Sequence, residues 1–228
     1  MKSARLVCAI ALSLIANSTP HAVAQAPALT KGVSVQMAQT KNAVTYPDAD
    51  NADAWIVVIT ADGRLYFGVT AVTPQELAEQ MKSAPRYRDA RLYIKSDARA
   101  RFADLARVLS AARTVSFDSA VLLTSKSESP ALGKLVAPKG LEVSLAPPSP
   151  GTTVVQLRDS GKPAPELTIN NREIHPADLQ NALNQALQNQ KERIVVVDSD
   201  ARLPFAQVAQ AIDACTSVQA KVVLPAQE

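Results

Sequence analysis

The chain is poor in the residues that most chemistry depends on. It has two cysteines and two histidines in 228 residues, only 4% aromatics, and seven glycines scattered singly. Single glycines exclude the clustered phosphate-cradling loops of nucleotide-binding proteins. Scarce aromatics argue against a stacking groove for sugars or bases, although Tyr66, Tyr87 and Tyr93 are present. The histidines and cysteines show no spacing suited to a metal or to a Cys-His dyad. His175 stands just ahead of a predicted helix, where a structural capping role fits. Cys215 falls on the apolar face of another helix, the place of a small buried hydrophobe. No cofactor is expected, and nothing in the pattern supports an enzyme.

An excess of one charge is also missing. The formal balance of +3 includes Lys2 and Arg5. These two lie in "MKSARLVCAIALSLIANSTPHAVAQ", where a basic start, an apolar run from Leu6 to Ala16 and Ala22-Val23-Ala24 make the three parts of a secretory leader. The run is shorter than the ~20 residues that span a bilayer. Cleavage after Ala24 is the expectation, with an uncleaved N-terminal anchor as the alternative. Removing Lys2 and Arg5 from the 24 basic residues leaves 22 against 21 acidic ones, with both signs interspersed. That pattern excludes the one-sided basic face of a nucleic-acid binder. Cys8 lies in the leader, so the expected mature chain keeps only Cys215 and cannot form an internal disulfide.

What the chain does have is a repeat. "KGVSVQM" (31–37) matches "KGLEVSL" (139–145), and "AWIVVIT" (54–60) answers "TTVVQLR" (152–158). "TPQELAEQM" (73–81) answers "HPADLQNAL" (175–183), and "SDARARF" (96–102) answers "SDARLPF" (199–205). Finally "SAVLLTS" (119–125) answers "AKVVLPA" (220–226). The five matches keep one order and lie 98 to 108 residues apart. They define copy 1 at 31–125 and copy 2 at 139–226, joined by a linker over 126–138.

Within each copy the patterning predicts a β-β-α-β-α-β unit. Ile56–Ile59 and Leu65–Phe67 flank Asp62-Gly63, a hairpin signal. Thr73-Pro74-Gln75-Glu76 has the parts of a capping box with proline at the first helical position. His175, Pro176 and Asp178 take those places in copy 2. Apolar residues at helical spacing follow, first Leu179, Leu183 and Leu187, then Phe102, Leu105 and Leu109 or Phe205, Val208, Ile212 and Cys215. The expected fold is α+β: two small mixed sheets, each carrying two helices on one face.

Two sets of residues are candidate partner contacts. Asp97 with Arg99, and Asp200 with Arg202, sit in a polar loop at the carboxyl end of a strand. Such a pair either contacts a partner or shapes the turn, the Asp bonding nearby backbone N–H groups; the second fits better. Catalysis fits poorly, since no histidine or second carboxylate lies beside either Asp. The other set is the alternating strand ahead of each copy, with Val33, Val35 and Met37, then Leu141, Val143 and Leu145. It is either an edge strand of its own copy, or one that pairs across copies, across chains or with a bound peptide.

The ordered set resembles the periplasmic domain of the ExbD/TolR family. The shared elements are a short alternating strand, a hairpin turning at Asp62-Gly63, a helix, and an apolar strand running into an Asp-containing loop. A helix opening on Phe102 or Phe205 and a last strand complete it. The resemblance covers nearly the whole of both copies. It implies a non-enzymatic protein of an envelope energy-transducing, biopolymer-transport system that engages a protein partner, with the cell wall as an alternative target. The implied location is the periplasm, or the inner membrane if the leader is retained as an anchor. Family members carry a proton-relaying aspartate in a transmembrane helix; the apolar run here contains no acidic residue, so that role does not carry over. Members also work as dimers, and a doubled chain is expected to form that dimer internally.

Overall fold

A computed structural model describes residues 32–84, 90–126 and 136–225. The expected leader (1–24) and most of the expected linker lie outside these residues.

Copy 1 opens with β1 (Val44–Thr45) and a 3-10 turn at Pro47–Asp50. β2 (Trp55–Ile59), β3 (Leu65–Phe67) and β4 (Thr70–Val72) then form an antiparallel meander. α1 (Pro74–Ser83), β5 (Leu92–Ser96), α2 (Phe102–Thr114) and β6 (Ser119–Thr124) follow. Copy 2 runs β7 (Lys139–Ser144), β8 (Thr153–Arg158), β9 (Glu166–Ile169), β10 (Arg172–Glu173), α3 (Leu179–Leu187), β11 (Ile194–Ser199), α4 (Phe205–Ser217) and β12 (Lys221–Val223). The expected hairpin is therefore a three-stranded meander in each copy, because a short outer strand precedes the first helix.

The local signals act as physics dictates. The Thr73 hydroxyl accepts the Glu76 N–H at 3.2 Å while the Glu76 carboxylate accepts the Thr73 N–H at 2.7 Å, so two orphan donors of α1 are satisfied. In copy 2 the His175 ring nitrogen Nδ1 accepts the Ala177 N–H at 3.3 Å, and a 3-10 turn at Pro176–Asp178 leads into α3. Asp178 supplies no side-chain cap to that helix.

The larger departure concerns the sheet. The two copies do not form two sheets but one of twelve strands, eleven of them in the order β10-β9-β8-β11-β12-β7-β6-β5-β2-β3-β4, with β1 off this path against β7. The seam is β6 with β7, antiparallel over Ser119↔Ser144 to Thr124↔Lys139. On its other edge β7 pairs in parallel with β12 through Val143 and Ser144, and β1 takes the remaining edge at Lys139 and Gly140. Gly140 is required there. A Cβ at this position would lie 2.5 Å from Val121 Cγ1 and 3.0 Å from the Leu122 carbonyl oxygen, closer than a side chain tolerates.

One apolar core runs along one face of this sheet. Val57, Ile94, Leu122, Leu141, Val155 and Val197 from the strands meet Leu77, Leu105, Leu183 and Ile212 from the four helices. A smaller cluster on the opposite face holds Tyr46, Ala49, Tyr93, Val121 and Leu123, with Met37 and Ile56 against it. Burial on both faces explains why β5 and β6 read as continuous apolar runs. Tyr46 meets Tyr93 edge-on at 6.2 Å, and burial pushes its hydroxyl pKa up to about 12. Cys215 is fully buried in the main core, which pushes its thiol up to about 12 and leaves it unreactive near neutral pH.

Candidate functional site: paired loops and a displaced strand

The two Ser-Asp-Ala-Arg loops are built alike. The Asp97 N–H donates to the Ile59 carbonyl at 2.8 Å and the Asp200 N–H to the Leu157 carbonyl at 2.9 Å, fixing each loop to the end of the neighbouring parallel strand. Asp97 then accepts from Arg99 three times: its backbone N–H at 3.0 Å, Nε at 2.9 Å and Nη2 at 3.1 Å. Asp200 accepts the Arg202 N–H at 3.0 Å, with longer guanidinium contacts at 3.5 and 3.4 Å. These are turn-shaping carboxylates. Arg99 and Arg202 project into solvent, their side chains 67% and 71% exposed.

The loops also meet each other. Phe102 N–H donates to the Leu203 carbonyl at 2.8 Å and Phe205 N–H to the Ala100 carbonyl at 2.7 Å. Ala103 N–H donates to Ala201 at 2.9 Å, and Ala206 N–H to Ala98 at 2.9 Å. A shift of 103 residues turns each bond of a pair into the other, so the copies are related here by a pseudo-two-fold axis. The reason lies in the helix ends. Neither Arg101 nor Pro204, the N-cap residues of α2 and α4, offers a side-chain cap. The orphan N–H groups of each first turn are satisfied instead by carbonyls of the opposite loop. The motif occurs twice because each copy caps the other's helix.

Asp97 differs from Asp200 in one further contact, the Gln36 N–H at 3.0 Å. The Ala98 N–H in turn donates to the Gln36 carbonyl at 2.7 Å, and Met37 bridges Asp97. The Arg99 guanidinium and these backbone donors hold the Asp97 carboxyl at about 2, well below the ordinary 3.8. A depressed folded-state pKa contributes stability above the unfolded value, and this is lost as pH falls from about 4 through about 2. Acid denaturation monitored by circular dichroism is expected to show this loss in the wild type. Asp97→Asn is expected to be less stable at neutral pH and to lack that part of the pH dependence. An ionised carboxylate saturated by donors has no capacity for acid–base catalysis near neutrality.

The alternating strands have opposite fates. Leu141 and Val143 are buried in β7, with Leu145 just beyond its end, and both edges of β7 are occupied. That strand pairs across the copies, and the alternative of peptide capture by its edge is closed. Its counterpart is no strand at all: the residues from Gly32 to Gln36 lie outside any ladder, alternating between exposed and half-buried. The pseudo-two-fold leaves one slot between β6 and β12, and β7 fills it. Val33 and Val35 are half-buried, and among the described residues Val33, Ser34 and Val35 make no main-chain hydrogen bond.

The displaced segment continues as a strap onto copy 2. Thr40 and Thr124 hydroxyls meet at 2.7 Å, and the Thr40 N–H donates to the Ser125 carbonyl at 3.0 Å. Buried Asp213 on α4 then accepts the Lys41 N–H at 3.0 Å, the Asn42 N–H at 2.8 Å and the Asn42 Nδ2–H at 3.1 Å. Sequence reasoning missed this anchor. Its only trace was an acid between Ile212 and Cys215 on an otherwise apolar helix face.

Comparison with protein families matches the description "Biopolymer transport protein ExbD/TolR" twice, over residues 22–127 and 124–227. Comparison with individual curated proteins gives no match. Two consecutive matches spanning most of the sequence, on copies that share one seam and one pseudo-two-fold, establish that the chain belongs to the ExbD/TolR family of biopolymer transport proteins, with the family domain present in tandem.

Proposed function

We propose that this chain is a non-enzymatic adaptor of the periplasm, exported by its leader over residues 1–24, that engages a protein partner of an envelope energy-transducing system. The family supplies the system. The observation that carries the adaptor role is the displaced segment: Val33–Met37 is anchored at Gln36 by Asp97, and among the described residues Val33 to Val35 have no main-chain partner. An extended partner segment adding to such a strand gains main-chain hydrogen bonds, and the alternation of Val33, Val35 and Met37 supplies side-chain selectivity. Arg99 flanks this edge through its bond to Asp97.

The test is affinity capture from periplasmic extract. The mature wild-type chain is expected to co-purify an energy-transducing or motor subunit, and Val35→Pro to lose it while melting as the wild type does. Undiminished capture by Val35→Pro would exclude this strand as the contact. A mature mass not shortened by 24 residues would replace the soluble adaptor with an anchored one.

A further inference from the structure

The strap from Gln36 to Asn42 is fastened by polar bonds more than by apolar burial. The side chains it buries, Ala38 and Thr40, are small, and Met37 is half-buried against the smaller cluster. A cavity of about 590 Å³ separates Gln39 and Lys41 from Pro176, Gln180 and Gln210. Its catch is Asp213, and every side-chain bond described for that buried carboxylate goes to the strap, at Lys41 and Asn42. The matching place in copy 1 holds Ser110, so the acid occurs only in the copy that receives the strap. This kind of catch opens readily. A lifted apolar anchor would leave hydrophobic surface in water, whereas Asp213 and the N–H groups it holds exchange their bonds for bonds to water.

We infer that the strap is a latch: it opens as a local unit, Asp213 of copy 2 is its catch, and its closing holds the Val33–Val35 segment of copy 1 in place. The bonds run in series along seven residues. The Gln36 N–H donates to Asp97 at 3.0 Å and the Gln36 carbonyl accepts the Ala98 N–H at 2.7 Å. The Ala38 carbonyl accepts the Ser125 N–H at 2.9 Å, the Thr40 N–H donates to the Ser125 carbonyl at 3.0 Å, and Lys41 and Asn42 follow onto Asp213. Lys41 and Thr40 are adjacent, so releasing Asp213 removes the support beside the Thr40–Ser125 bonds and loosens the chain back to Gln36. Asp213 is thus a positioning residue for a segment 171 residues or more ahead of it. The consequence for binding rests on the adaptor role proposed above. A closed latch presents the Val33–Val35 segment already ordered, and an open one makes a partner strand bear that ordering.

Native-state amide hydrogen exchange of the whole protein in low urea is the test. The amides of Gln36, Thr40, Lys41 and Asn42, with those of Ala98 and Ser125 that donate to the strap, are expected to share one protection factor, about tenfold or more below that of β5 and β11. Asp213→Ala is expected to lower all six by about tenfold again and to leave β5 and β11 unchanged, with Asp213→Asn, which keeps one acceptor, in between. Should Asp213→Ala not fold, the wild-type exchange decides alone. Strap amides that exchange only as fast as β5 and β11 would overturn the latch. So would a loss in Asp213→Ala confined to Lys41 and Asn42, with Gln36 and Ala98 still protected. Affinity capture separates this inference from the adaptor role. A wild-type chain that captures nothing counts against the adaptor role and leaves the exchange result standing, whereas equal capture by wild type and Asp213→Ala counts against control by the latch.

Discussion

Val143→Pro is expected to abolish cooperative folding of the entire chain, whereas Val35→Pro is expected to change stability by about 0.5 kcal/mol or less. The two valines hold matching places in the repeat, so local propensity gives them the same sensitivity. Their surroundings differ. Val143 lies within β7, opposite Ala120 of β6 and Val222 of β12, and is 1% exposed. Proline there removes a ladder donor and forces its ring against a packed strand on either side, at about 3 kcal/mol or more. Total stabilities of ~5–15 kcal/mol leave little margin for such a loss at the seam joining the copies. Val35 has no main-chain bond to lose among the described residues. Urea denaturation of both variants checks the contrast; equal destabilisation would mean that the two strands share the central slot.

Phe205→Ala is expected to cost about 3–5 kcal/mol, and Phe102→Ala a similar amount. Each ring is at most 2% exposed, and each sits on the first residue of a helix whose N–H groups bond the opposite loop. The substitution keeps the backbone bonds and empties a space in the core that both copies share. Unfolding should remain a single transition in each variant, shifted to lower urea. A variant that loses copy 2 first while copy 1 stays folded would show that the shared core does not couple them.

Much of the fold was legible in the sequence because its signals are local. The capping box at Thr73 and Glu76, the apolar runs of β5 and β11, and the helices opening on Phe102 and Phe205 all lie where their spacing predicts. The outer strands β4 and β10 escaped notice because two or three residues carry too little periodicity to register, and β10 consists of Arg172 and Glu173 alone. The single sheet escaped for a different reason. Which of two nearly identical strands fills a slot on a symmetry axis is a tertiary decision, and "KGVSVQM" and "KGLEVSL" have the same alternation. Asp97 and Asp200 do shape their turns, one of the two readings that the sequence allowed. That their loops cap each other's helices could not be read, because the partners are 98 to 108 residues apart and the bonds are backbone to backbone.

The asymmetry has a functional consequence. A dimer of identical domains presents every surface twice, whereas the tandem chain has divided its surfaces. One alternating strand is buried as the seam while the other is displaced and ends in a strap. One helix pair carries that strap through Asp213, whereas among the described residues the other carries no such segment. A tandem chain thereby fixes two unlike surfaces on one body without an assembly step.

The most direct measurement is backbone ¹⁵N relaxation on the whole protein, comparing amides of β2 and β5 with those of β8 and β11. The continuous sheet predicts that both sets report one correlation time, that of a single body. Two shorter correlation times, one for each copy, would contradict the shared sheet and the pseudo-two-fold on which the paired loops depend.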